Sequence, residues 1–421
     1  MKLASTVSWS ALATLIRLAN GFVSIKVVAL LIGPLGVALI GQFGNLTSIV
    51  MTLALGGIST GVIKYTSQYK DNPEELNKVW HTITWVSMIL SIPVIIVLLV
   101  FHNWLAQEFL HDAAYGSILV VFAFSLGFYV ANSLLLNILN GLHQIKRFNL
   151  LNTLNSILGL LVTIGLVYQY KVYGALLGIV ISQSITFFVV VFFVHKQTWF
   201  KLSNFFGKFD RFYFKKLMGF TVMSLTTMCV GPTSQMFIRG YLASHTSWDV
   251  AGCWQGMQKI SDTYLMIANA ALWTYFLPKF ASLHDQKQIS AEIRKGYLFL
   301  LPFLAISAVS LFISRHLIIN LLFSKSFLAM SGMFFWQLLG DCLKISAWIL
   351  GCLMGAKDKI KLFVVTEVLF GVSYPLFSYG LINLVGTNGA VMAFALNYMI
   401  YLVLFIVLYK KGFLTDRGCT R

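Results

Sequence analysis

Charge is what this chain has least of, and acid is scarcer than base. Only 11% of its 421 residues are charged, against about 25% in an average soluble domain, which excludes an ordinary water-soluble fold. The 14 acidic residues are outnumbered by 31 lysines and arginines, for a net charge of +17. Cysteine is also sparse. Cys229, Cys253, Cys342, Cys352 and Cys419 form no CxxC pair and no Cys/His cluster, so they read as small apolar residues rather than disulfides or metal ligands. The period-two alternation of an outer-membrane barrel is missing as well. So is a small-residue cleavage site after MKLASTVSWSALATLIRLANGF, which therefore reads as a retained first span.

What is present is hydrophobic sequence: 58% of the residues, with a mean hydropathy of +0.80. Apolar runs of about twenty residues recur, each long enough to cross a bilayer as a helix. The pattern predicts an all-α integral membrane protein with twelve transmembrane helices, at roughly 9–32, 36–62, 79–101, 116–139, 148–169, 173–194, 217–241, 250–275, 297–314, 331–354, 362–383 and 388–409. No loop between them is long enough for a soluble domain. The basic residues sort by side. The N-terminus and the even-to-odd loops hold 23 of them, the opposite loops hold 3 (Lys171, Arg315, Lys325), and 5 fall within spans. That asymmetry predicts cytoplasmic termini. It also accounts for the charge as topology, so no nucleic-acid partner is expected.

The two halves echo each other. VALIGQ (Val37 to Gln42) matches VAGCWQ (Val250 to Gln255) at an offset of 213. LLNILNG (ending at Gly141) matches WILGCLMG (ending at Gly355) at 214, and YGALLGIVIS (from Tyr173) matches NGAVMAFALN (from Asn388) at 215. Two pseudo-symmetric six-helix lobes follow: residues 1–200 for the N-lobe and 201–421 for the C-lobe, joined by the basic cytoplasmic loop 195–216. Six spans per half leave both copies facing the same way, as in transporters whose substrate site lies between lobes.

Eight ionisable side chains fall within the spans: Arg17, Lys26, Arg239, Lys259, Asp262, Asp341, Lys344 and Glu367. Arg239 lies near a span end and is expected to snorkel. The other seven cost about 2.5–3.5 kcal/mol each at mid-helix, so they are expected to face protein or water. Helical spacing agrees. Gln255, Lys259, Asp262 and Asn269 share one face, as do Gln337, Asp341, Lys344 and Trp348; Arg17, Asn20, Gly21 and Ser24; and, roughly, Gln42, Asn45, Thr52 and Gly56. Lys259/Asp262 and Asp341/Lys344 have two readings: static i,i+3 pairs that hold helices together, or groups lining a path.

The first half holds Arg17 and Lys26 with no acid in its spans, whereas the second is balanced. Cations in spans that hold no acid suit an anionic group, with phosphate or pyrophosphate foremost. The residues expected to line a pyrophosphate and sugar cavity are therefore Arg17, Lys26, Asn20, Gln42, Asn45, Gln255, Lys259, Gln337 and Lys344. Asp262, Asp341 and Glu367 are the candidates for proton or cation coupling, with Glu367, which has no charged residue at i±3 or i±4, preferred as the protonation site. No catalytic residue, cofactor or metal is expected.

Three stretches, SWDVAGCWQGMQKISDTYL (Ser247 to Leu265), FFWQLLGDCLKISAWILG (from Phe334) and IKYTSQYKDNPEEL (Ile63 to Leu76), resemble the Wzx flippases, above all their common-antigen branch. Those flippases belong to the MOP superfamily of multidrug, oligosaccharidyl-lipid and polysaccharide exporters. The resemblance runs along essentially the whole chain. It implies a non-enzymatic translocase in the bacterial inner membrane, with twelve helices in two lobes. The implied cargo is an undecaprenyl-pyrophosphate-linked oligosaccharide of O-antigen or enterobacterial common antigen, moved from the cytoplasmic to the periplasmic leaflet. The partners it implies are membrane lipids, a glycan polymerase and a chain-length regulator. A multidrug antiporter of the same superfamily is the nearest rival, but a site for cationic drugs would need a surplus of buried acids. A membrane polymerase or ligase for the same glycan commonly carries a large periplasmic loop, and none is present here.

Overall fold

The computed structural model describes residues 3–283, 285–357 and 359–413, and every regular element among them is helical. Lys2, His284, Arg417, Cys419 and Arg421 lie outside the described residues.

The chain opens with α1 (Leu3–Leu55), which is two helices joined at Gly33, where φ is 66° and ψ is −168°. Only glycine enters that region without strain, and Pro34 next to it has no backbone N–H to continue the ladder. There follow α2 (Ser59–Gln68), α3 (Pro73–Val100), α4 (Gly116–Gly141) and α5 (Ile145–Val194). The last of these is again double, broken at Lys171 with φ 50°. Then come α6 (Arg211–His245), α7 (Trp248–Ala271), α8 (Gln286–Ile313), α9 (Phe334–Ala356), α10 (Ile360–Val385) and α11 (Gly389–Lys410).

Seven stretches are long and apolar enough to cross a membrane, and three of them are hairpins: Ile16–Leu55, Ile145–Val194 and Ile360–Lys410. Counting both arms of each hairpin, and adding α6 and α7, gives the twelve expected spans. Those two are less apolar because polar residues dilute them, among them Arg239, Lys259 and Asp262. Large apolar side chains such as Phe299, Ile306, Ile313 and Leu384 are exposed, as suits a chain whose solvent is lipid.

The helices group into two compact units. One comprises Met1–Ile32 and Leu39–Thr233, the other Gly33–Ala38 and Ser234–Arg421. This division falls after the 200/201 boundary drawn from the repeat, because segment 195–216 and the start of α6 are held by the first unit. Phe205 stacks on Trp80 with centroids 5.4 Å apart. The Trp85 indole donates to the Gly207 carbonyl at 2.9 Å, and the Asp210 N–H donates to Thr82 Oγ1 at 3.2 Å. Tyr213 donates to Glu75, and Thr221 Oγ1 donates to the Gly56 carbonyl at 2.8 Å.

In the second unit, α7, α8, α9 and α11 enclose a core that includes Phe276, Phe280, Leu300, Ile349 and Phe405. Gly340 sets how closely α9 and α11 approach, since a Cβ there would lie 2.3 Å from the Phe394 ring. Small residues at such contacts let membrane helices pack by dispersion, with no hydrophobic force to draw them together.

Candidate functional site

Among the fully buried polar groups of the second unit is Asp341 on α9, which is 0% exposed. Its carboxyl group faces α7 and accepts only from neutral donors. Ser261 Oγ lies 2.6 and 2.7 Å from its two oxygens, Tyr264 Oη lies 2.8 Å from Oδ2, and Gln337 Nε2 lies 3.2 Å from Oδ1. Gln337 is also fully buried and accepts from Gln258 Nε2 at 3.3 Å. Every partner is a side chain of α7 or α9, so the network ties these two helices together.

Lys344 lies one turn further along α9 and does not pair with Asp341. Its ammonium sits 4.9 Å from the centroid of Trp348 and 5.8 Å from those of Phe394 and Tyr398. Cation–π contacts of this kind contribute about 0.5–2 kcal/mol each. Lys259 and Asp262 are both exposed, and among the described residues no ion pair joins them. The static-pair reading of Lys259/Asp262 and Asp341/Lys344 therefore has no geometric counterpart. Glu367 on α10 is half-buried.

Arg239 departs from expectation. Instead of snorkelling, its guanidinium is 0% exposed, donates to Gln255 Oε1 and lies 5.5 Å from the Trp254 ring. The reason is local: α6 continues beyond the predicted span to His245, which leaves Arg239 well inside the helix. The carboxamide of Gln255, itself buried, supplies an acceptor there.

In the first unit Arg17 is half-buried and donates to Thr14 Oγ1 at 3.2 Å. Asn20 Nδ2 donates to both the carbonyl and the hydroxyl of Ser156 at 2.6 Å, fastening α1 to α5. Lys26 and Asn45 are half-buried, and Gln42 is 3% exposed. The structure thus gathers Gln337 and Asp341 into one cluster and sets Gln255 beside Arg239. Lys259 and Asp262 stand outside both groups.

Sequence reasoning passed over Gln258, Ser261 and Tyr264, which complete the Asp341 cluster. The signal was there: these residues recur every third position on α7, matching the i,i+4 pair Gln337 and Asp341 on α9. The face drawn through Gln255, Lys259 and Asp262 passed them by, because they lie on an adjacent face of the same helix. The amides and hydroxyls of α4 and α5 were missed because none is charged.

The sequence profile described as "Polysaccharide biosynthesis protein" matches residues 3–284, more than half of the chain. The chain belongs to that family. It is also 31% identical over 408 residues to the protein named lipid III flippase in Escherichia coli (strain K12), covering 95% of this chain and 96% of the relative. The lipid III flippase of Shigella flexneri matches with the same figures. Among solved structures, the inward-facing structure of a multidrug resistance MATE family transporter of the MOP superfamily superposes with a TM-score of 0.79. It covers 98% of both chains at 15% identity, which establishes that the two share a fold. Family and fold together account for the whole described chain as a multi-pass membrane protein.

Proposed function

We propose that this protein is a flippase for lipid-linked oligosaccharides. It would carry undecaprenyl-pyrophosphate-linked repeat units of O-antigen or enterobacterial common antigen from the cytoplasmic to the periplasmic leaflet of the inner membrane, by alternating access. A pyrophosphate bearing several hydroxylated rings cannot cross hydrocarbon unaided, because each unpaired polar group there costs several kcal/mol. A protein that moves it must supply cations and hydrogen-bonding groups within its spans while leaving the prenyl tail in lipid.

The observation that carries this reading is the charge placement in the first half. Its spans hold Arg17 and Lys26 and no acidic residue at all, so an anion can take the place of a protein carboxylate. The likeness to the lipid III flippases supports the same assignment. The antiporter alternative shares the fold but fits the charges poorly, with five bases to three acids in the spans. We assign coupling first to Asp341 rather than Glu367, because Asp341 is buried among neutral donors and has no ion-pair partner among the described residues. Glu367 and Asp262 are the remaining candidates.

Complementation tests the proposal. In flippase-null strains that differ only in the sugars of their repeat unit, this gene should restore surface polysaccharide in at least one, read by immunoblot of surface glycan. Restoration in none, with the protein present in the membrane, would refute it.

A further inference from the structure

The first unit contains a layer of uncharged amides and hydroxyls at one depth of its helices. His143 marks the turn between α4 and the first arm of α5, with φ 57°. Asn132 lies eleven residues before it and Asn155 twelve after it. At 1.5 Å of rise per residue, the antiparallel arms bring both to nearly the same level. Asn132 Nδ2 reaches Gln183 Oε1 at 3.4 Å and Thr186 Oγ1 at 3.3 Å, adding the second arm of α5. Next to Asn155, Ser156 receives both hydrogen bonds from Asn20 and so adds α1.

This layer is incompletely satisfied. Asn132 is 3% exposed, yet among the described residues its Oδ1 has no hydrogen-bond partner, and neither do Asn155 Oδ1 and the Ser184 hydroxyl, all shielded from solvent. Buried polar atoms are almost always paired in folded proteins. Amides that served only to join helices would pair with each other. These leave acceptors and a donor open, in a mixture that a sugar's hydroxyl and acetamido groups can complete.

We propose that Asn132, Asn155 and Gln183, with Asn20 and Ser156, form a saccharide-binding layer that takes the sugar next to the cargo's pyrophosphate. The proposal rests on the flippase reading above. Position supports it: Asn20 follows Arg17 by one helical turn on the same face of α1, and the first sugar is bonded directly to the pyrophosphate. A sugar site must therefore adjoin the anion site. The absence of acid from these spans suits a neutral hydroxylated ligand tethered to an anion.

The test is equilibrium binding to the purified full chain in detergent, using two ligands: a prenyl pyrophosphate bearing the oligosaccharide, and the bare prenyl pyrophosphate. Wild type should prefer the glycosylated form. An Asn132→Leu/Asn155→Leu double variant should lose about tenfold or more of its affinity for that form, as expected for two lost hydrogen bonds. It should bind the bare lipid as before and melt only modestly lower than wild type, because leucine removes two open acceptors but also the bonds from Asn132 Nδ2 to Gln183 and Thr186. Asn132→Ser and Asn155→Ser serve the same comparison should the leucine variant fail to fold. Unchanged binding of both ligands, or parallel loss of both with a lower melting temperature, would overturn the layer. A wild type that binds neither ligand would instead overturn the flippase reading on which the layer depends.

Discussion

Asp341→Leu is expected to cause the largest loss of stability of any single substitution in the α7–α9 network. The change removes one acceptor and strands the hydroxyls of buried Ser261 and half-buried Tyr264, whereas Gln337 Nε2 keeps Ser261 Oγ as an acceptor at 3.3 Å. A buried group left without its partner costs about 1–3 kcal/mol, so the two hydroxyls together cost about 2–6 kcal/mol. That is a large share of the 5–15 kcal/mol that holds a typical fold. The variant should show sharply reduced membrane levels and a melting temperature in detergent lowered by many degrees. Asp341→Asn separates structure from coupling. It keeps one acceptor oxygen, and its amide can donate to the hydroxyls of Ser261 or Tyr264, so stability should stay close to wild type. Because asparagine cannot exchange a proton, transport driven by an imposed pH gradient should fail in this variant. An Asp341→Leu variant as stable as wild type would show that the network contributes little. Gradient-driven transport by Asp341→Asn would remove Asp341 from the coupling mechanism.

The second large effect concerns the bases of the first half. Arg17→Ala and Lys26→Ala should each abolish surface display of polysaccharide while the protein level, read by immunoblot, stays intact. A hydrogen bond to a charged group contributes about 1.5–3 kcal/mol, so each lost contact should weaken pyrophosphate binding about tenfold to a hundredfold. Stability should change little, because both side chains are only half-buried and alanine favours helix. Display at wild-type levels in both variants would refute the anion site.

Much of the fold is legible in the sequence because lipid imposes a simple rule: apolar runs of sufficient length become helices. Gly33 with Pro34 and the lone Lys171 mark hairpin turns within unbroken apolar text, and the structure breaks α1 and α5 there. The domain division was less legible. A repeat reports ancestry, whereas compactness follows contacts, and Trp80, Trp85 and Thr82 hold the connecting segment to the first unit.

The candidate site divides in the same way. Helical spacing placed Gln337 and Asp341 on one face of α9, and both are fully buried there. It could not tell that Asp341 turns to Ser261 and Tyr264 while Lys344 turns to Trp348. Direction about a helix axis depends on which neighbour offers a donor, and that neighbour is distant in sequence. Arg239 makes the same point. Its distance from the predicted span end suggested an exit to water, but α6 runs on and Gln255 accepts its proton inside.

The central claim is that the half-buried basic side chains of the spans, Lys26 and Lys344 among them, face water where an anion can reach them. Thiol labelling tests it most directly. In a chain stripped of its five native cysteines, Lys26→Cys and Lys344→Cys would be exposed in intact membranes to a charged, membrane-impermeant methanethiosulfonate reagent. The account predicts that both positions react, and that added prenyl-pyrophosphate-linked oligosaccharide slows the reaction. Positions that resist the charged reagent yet react with a lipid-soluble maleimide would place these side chains in hydrocarbon and contradict it.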